Sequence, residues 1–182
     1  MEYDKTIRLR DGRECRLRSA NAQDAEAVLA CFLLTHAETD YLATYPEETS
    51  FTLEQEAQYL QKKAGSERET ELIAVLDGRV VGTAGIDAVS GREKLRHRAT
   101  FGISLERESW GLGIGRALTL ACIECAKAAG YAQLELDVVA DNARAVALYR
   151  SVGFEEYGRN PRGFRLRGGG WQPLALMRLT LD

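Results

Sequence analysis

The sequence predicts an α/β domain whose sheet is mixed, mostly antiparallel and flanked by about four helices. Three observations point there. Two turn dipeptides, Asp11-Gly12 and Asp77-Gly78, each sit between alternating apolar runs, the signature of a β-hairpin. Stretches of helical periodicity that open on cap residues interrupt those runs, at residues 21–36 and 52–64. A strand, a glycine-rich turn, a long helix and a further strand follow one another over residues 99–139. The chain has 182 residues, 45% of them hydrophobic, with no low-complexity tract, internal repeat or linker, so one domain over residues 1–182 is expected.

In chain order, residues 6–18 alternate around Asp11-Gly12 and read as a short hairpin. Asn21 caps the next helix with Asp24 in its first turn, and Ala25, Val28, Leu29 and Phe32 form its apolar stripe. That helix should end near His36. Residues 40–48, which include Asp40, Tyr41, Pro46, Glu47 and Glu48, carry no helical stripe and read as a loop rich in functional side chains. Thr52 and Gln55 have capping-box spacing for a helix to about Ala64, with Leu53, Ala57 and Leu60 as its core face. Residues 71–76 and 80–89 pair across Asp77-Gly78, and Gly82 and Gly85 mark a bulge or a close approach in the second strand. Residues 91–98 form a basic connection into a central strand at 99–105.

A helix over residues 113–129 follows, with Gly130 as its C′ residue. Residues 134–139 form a strand with Glu135 and Asp137 on one face and Leu134, Leu136 and Val138 on the other. Asn142 caps a short helix that ends near Tyr149. Three strands at 154–157, 163–167 and 174–181 complete the sheet, with a turn at Asn160-Pro161 between the first two.

Formal net charge is −3, which supplies no basic field to hold nucleic acid or an acidic membrane, so neither is expected as a partner. The first residues lack an apolar signal core and no apolar run approaches the ~20 residues of a membrane span, so a cytoplasmic location is expected. Cys122 and Cys125 form a C-x-x-C, but no second pair or nearby histidine completes a zinc set. They share a helical face with Ile114, Leu118 and Ala121, so core packing is the expectation and no metal is predicted.

The chain's organising stretch is Trp110-Gly111-Leu112-Gly113-Ile114-Gly115-Arg116, between the central strand and the long helix. Glycines let the backbone approach a ligand closely, and the helix start offers unpaired N–H groups and a positive dipole end. That combination makes an anion site. The stretch resembles the acyl-CoA pyrophosphate loop of the GNAT superfamily of N-acyltransferases, in which Gln or Arg, two residues, Gly, any residue and Gly or Ala follow in turn. Here Trp110 stands at the Gln/Arg position, while Gly113 and Gly115 match. A second block, Asn142 to Tyr149 followed by Gly153-Phe154, is similar to the family's Asn, Ala, Leu-Tyr, Gly-Phe segment.

The resemblance implies a sheet whose central strands splay apart around the pantetheine arm of an acyl-CoA, with acetyl-CoA as the co-substrate. It implies that the backbone of Ile103, Ser104 and Leu105 pairs with the pantetheine amides. Gly111, Leu112, Gly113, Ile114, Gly115 and Arg116 would hold the pyrophosphate, Asn142 the cofactor arm, and Tyr149 would serve as catalytic general acid toward the departing thiolate. The basic connection at 91–98 reads as a solvated hairpin tip, or as charges that meet the 3′-phosphate of coenzyme A or an acidic substrate. The acceptor would be a primary amine of a small molecule or peptide, lined by Asp40, Tyr41, Glu47 and Asp137. Homodimers are common among relatives.

Proton arithmetic shapes these roles. A tyrosine near pKa 10 and a thiol near 8.5 make full transfer uphill by ~2 kcal/mol, so a hydrogen bond to developing charge is easier to defend. A lysine-like amine costs about 4.6 kcal/mol to deprotonate at pH 7, and a peptide α-amine about 1. Many relatives carry a glutamate base where this chain has Thr100. The remaining candidates are Asp137, Glu135, Asp40, Glu47 and Glu48, or a water chain. Two other readings compete. A dinucleotide-binding oxidoreductase is disfavoured because Arg116 stands where the third glycine of that fingerprint belongs. A non-catalytic acyl-CoA sensor or interaction module would need no proton donor at Tyr149.

Overall fold

A computed structural model describes residues 2–48 and 51–181. Its eight strands are β1 (Asp4–Arg8), β2 (Glu14–Ser19), β3 (Thr70–Leu76), β4 (Arg79–Ala88), β5 (Arg98–Leu105), β6 (Gln133–Val139), β7 (Glu155–Arg165) and β8 (Trp171–Thr180). Four α-helices accompany them: α1 (Ala25–Ala37), α2 (Leu53–Ala64), α3 (Ile114–Ala128) and α4 (Ala143–Ser151). The strands form one sheet in the order β1-β2-β3-β4-β5-β6-β8-β7. Every pairing is antiparallel except β5 with β6, the two strands that α3 connects. A doubly wound parallel sheet is therefore absent among the described residues, which removes the dinucleotide reading at the level of topology.

The predicted start signals act as local chemistry dictates. Asp77 and Gly78 adopt φ of 52° and 79°, the positive pair that a two-residue turn matching the strand twist requires. Asn21 and Asp24 form a reciprocal capping box around a 3-10 turn that leads into α1, and Thr52 and Gln55 form another at α2. Pro46–Glu48, read as loop, makes one 3-10 turn.

Two apolar layers enclose the sheet. On one face α3 buries Ile114, Leu118, Ala121, Cys122 and Cys125 against Leu72, Ile86, Leu134 and Met177. The C-x-x-C pair is thus core, and both thiols are free and buried. On the other face Ala25, Val28, Cys31 and Leu60 cover Ile73 and Val80. Two predicted helix faces are corrected here. The α1 stripe runs through Cys31 and Thr35, leaving Leu29 and Phe32 half-buried, and Leu53 is 54% exposed at the open end of α2.

The strand prediction near the C-terminus also changes. Residues 155–165 form a single strand, and the reversal falls in residues 166–170 rather than at Asn160-Pro161. Register breaks between Glu156 and Gly158 and between Asn160 and Phe164 explain the interrupted pattern. β7 is an edge strand, where Pro161 leaves no interior ladder bond unmade. In β4, Val81 is an extra residue between the pairs Ala74–Gly82 and Val75–Val80, so Gly82 flanks a bulge. Gly85 instead lies beneath a side chain: a Cβ there would meet the Glu71 carboxylate at 2.3 Å.

Candidate active site

The site begins where the parallel pair ends. β5 and β6 are in register at Arg98–Gln133, Ala99–Leu134 and Thr100–Glu135, and no further pair follows. β6 stays bound to β8 along its whole length, so β5 beyond Thr100 keeps a free edge toward the gap. A cavity of about 1240 Å³ occupies this opening. That exceeds the ~300–1,000 Å³ of an ordinary small-molecule site and can take a long ligand together with a second one. Ile103, Ser104 and Leu105 line it from β5, and Asn142 and Tyr149 from α4.

At one end the glycine loop closes the cavity. Gly111 and Gly113 hold φ of +83° and +100°, a left-handed backbone in which any side chain is strained. Gly113 caps α3 without a side-chain acceptor, so the first N–H groups of α3 have no intrahelical partner. Arg10, in the first hairpin, donates its backbone N–H to the Leu112 carbonyl at 3.2 Å and its guanidinium to the Gly111 carbonyl at 3.4 Å. Trp110 donates its indole N–H to the Leu105 carbonyl at 2.8 Å, tying the loop back to β5. The guanidinium groups of Arg107 and Arg144 lie over its ring, 5.8 and 5.2 Å from the centroid. Trp110 therefore anchors the loop to β5.

Gly111, Gly113, Gly115 and Arg116 line the cavity, joined by Arg10 and Arg144. Leu112 and Ile114 do not. Leu112 lines a smaller hollow of about 210 Å³ beside the first hairpin, and the Ile114 side chain is fully buried in the core. Helix start, left-handed glycines and three arginines make this end suited to a polyanion. Arg10 gave no signal in the sequence; Arg144 stood inside the Asn142 block. Of the basic connection, no residue from 91 to 97 lines the cavity.

Gly115 separates loop chemistry from packing. It has an ordinary helical backbone, and a Cβ there would make ordinary contacts with Leu148 at 3.5 Å and Leu105 at 3.9 Å. Gly115→Ala is expected to leave stability unchanged or raise it by up to ~1 kcal/mol through helix propensity. If the loop grips a diphosphate, the added methyl should weaken that ligand about tenfold. Thermal melting with and without ligand tests both; undiminished binding would remove Gly115 from the site.

Asn142 accepts the Ala145 N–H at 3.2 Å and so caps α4 while lining the cavity. In the last turn of α4, Tyr149 is 8% exposed, with its ring edge-on to Phe101 at 6.0 Å and tilted against Phe154 at 5.9 Å. Desolvation pushes its pKa up to about 12. Against a thiol near 8.5, full proton transfer is then uphill by roughly 3–4 units, about 5 kcal/mol. The hydroxyl is suited to donating a hydrogen bond without giving up its proton.

At the other end, Thr35, Thr39, Tyr41, Leu42 and Ala43 face β5, β6 and the β7–β8 pair. Of the predicted acidic residues, Asp137 and Glu135 line this end. Glu135 is held by both Arg98 nitrogens and by Gln133, and the Arg98 hydrogen bonds lower its pKa. Asp137 has no ion-pair or hydrogen-bond partner among the described residues; desolvation first, then the Glu135 charge, raises its pKa. Asp40 is exposed and does not line the cavity. Glu47 pairs with Arg167, whose guanidinium stacks 3.9 Å over the Tyr45 ring, and Glu48 accepts the Tyr45 N–H at 2.7 Å. Glu47 and the Tyr45 hydroxyl, which accepts the Arg167 N–H at 3.2 Å, fasten the 40–48 loop to the β7–β8 tip, while Glu48 braces the loop from within. Thr100 lines the cavity and donates to the Asp87 carbonyl at 3.4 Å.

A splayed sheet with a helix start suited to a polyanion at one end of the gap and a carboxylate at the other defines a class of two-substrate fold. The chain matches the acetyltransferase (GNAT) family over residues 32–154 and belongs to that family. It is 37% identical over 100 residues to the L-amino acid N-acetyltransferase AaaT of Escherichia coli (strain K12), a match that spans 54% of this chain and 60% of that protein. Its fold superposes on an acetyltransferase of the GNAT family from Streptococcus pneumoniae with a TM-score of 0.88 and 30% identity, covering 91% of this chain and 99% of the other. A GNAT superfamily phosphinothricin acetyltransferase from Sinorhizobium meliloti, solved in complex with AcCoA, gives a TM-score of 0.79 and 27% identity, over 92% and 89% of the two chains.

Proposed function

We propose that the chain is an N-acetyltransferase that moves the acetyl group of acetyl-CoA directly to a primary amine. The observation that carries this reading is the β5–β6 gap itself, with the glycine loop at one end and the buried Tyr149 in its lining. Arg10, Arg116 and Arg144, with the N–H groups at the start of α3, would hold the pyrophosphate. The free edge of β5 would pair with the pantetheine amides as an added strand does. Leu105 enters that pairing with its carbonyl already engaged by Trp110.

The amine nitrogen attacks the thioester carbonyl, and the tetrahedral intermediate collapses with cleavage of the C–S bond. The thiolate leaves under a hydrogen bond from Tyr149, and the proton lost by the amine passes to Asp137, directly or through water. Asp137 suits that role better than Glu135, since its raised pKa and lack of a partner make it the stronger base.

Thermal melting in acetyl-CoA, with NAD as comparator, tests the donor. Ligand at 100 times its Kd should add about 2.7 kcal/mol, a rise of roughly 5–10 °C in Tm for a chain of this length. No shift with acetyl-CoA would refute the reading.

A further inference from the structure

The acceptor end of the cavity carries more chemical information than a carboxylate alone. Register places Thr100, Gly102 and Ser104 of β5 and Glu135 and Asp137 of β6 on the sheet face that α1 and α2 cover. Leu176 stands directly opposite Asp137 on β8 and shares that face. Beside them Leu174, Phe164, Tyr157 and Leu42 also line the cavity. Tyr41 and Tyr157 are 39% and 48% exposed, so two aromatic side chains stand partly open to solvent in this lining. These apolar and aromatic side chains share the wall with the hydroxyls of Thr35, Thr39, Thr100 and Ser104, and one unpaired negative charge, that of Asp137, sits in it.

No cation pairs with that charge among the described residues of this end. Arg98 is occupied by Glu135, Arg178 lies over the Tyr157 ring at 5.6 Å, and Arg167 is paired with Glu47. None of the three lines the cavity, whose arginines all belong to the glycine-loop end. A carboxylate on the acceptor would therefore face Asp137 with no cation in the lining of this end to pair with, and like charges at close range repel. A second ammonium group would find no second free carboxylate, since Glu135 is already held by Arg98, and would be desolvated against leucine and phenylalanine side chains.

We infer that the acceptor is a primary amine carried on an apolar or aromatic body, with no carboxylate beside the amine and no second cationic group, and that Asp137 sets this preference. The inference rests on the acetyltransferase reading and narrows it. It also separates this chain from a relative named for L-amino acids.

The test compares kcat/KM, followed by thiol release from acetyl-CoA, for phenethylamine, isoamylamine, phenylalanine, leucine and spermidine. Phenethylamine and isoamylamine should exceed the matching amino acids at least 30-fold, and spermidine by a similar factor. Ease of deprotonation does not create that order, because the simple amines are no less basic than the amino acids. Asp137→Asn should compress the phenethylamine-to-phenylalanine ratio to below about fivefold. If Asp137 acted only as a base, both substrates would slow together and the ratio would stay fixed, which would overturn its assignment as the selector. Equal or faster reaction of phenylalanine, or of spermidine, would overturn the inferred acceptor class while leaving the acetyltransferase reading intact. No transfer to any of the five by protein that binds acetyl-CoA would overturn both.

Discussion

Replacing Tyr149 by phenylalanine is expected to lower kcat by about 10²–10³ while leaving the acetyl-CoA Kd within about twofold, since one preorganised donor to transition-state charge is worth that much. The ring supplies the packing, against Phe101 and Phe154, and phenylalanine keeps it. Stability should therefore change by no more than ~1 kcal/mol, the net value of one hydroxyl. Steady-state kinetics beside calorimetric titration would separate the two effects; equal losses in rate and affinity would assign Tyr149 to binding instead. The pH profile adds a second check. With the phenol pushed up to about 12, kcat should show no descending limb from this group below about pH 11.

Features fixed by local chemistry were legible in the sequence. Asp77-Gly78 must turn because its backbone favours positive φ, and Thr52 with Gln55 must start a helix because each satisfies the other's orphan N–H. The glycine loop was legible for the same reason: its left-handed positions are conformational requirements that belong to the residues themselves. What was not legible depended on distant partners. Nothing adjacent to Arg10 signals that it reaches the carbonyls of residues 111 and 112, about a hundred positions away in the chain. Glu47 looked like an acceptor ligand because loop carboxylates often are, yet Arg167 takes it out of the cavity lining. Pro161 and its neighbours read as a turn, and only the position of β7 at the sheet edge lets a strand run through them.

Gly85 leads to the second large effect. Glu71 and Gly85 are cross-strand partners, and the missing Cβ makes room for the Glu71 carboxylate. Around it stand Tyr59 and Glu56 of α2, Lys63 with its ammonium on the Ile86 carbonyl and Asp87, and Thr83 on β4. Desolvation dominates over the Lys63 charge and raises Glu71 to about 7 from an ordinary 4.5. The unfolded chain then releases this proton at lower pH than the folded one. Between the two values the folded state holds more protons, so the contribution of Glu71 to stability is fully present below about pH 4.5 and is lost as pH rises through 7. The full span is roughly 3 kcal/mol, reduced to ~2–3 by the partial exposure of the side chain. Glu71→Gln carries no such charge and should lack this slope. At pH 8 the variant is expected to be about 2 kcal/mol more stable than the natural chain, and near pH 4.5 the two should coincide. Urea unfolding at both pH values measures the difference, and a gap that does not widen with pH would show that Lys63 compensates the Glu71 charge in full.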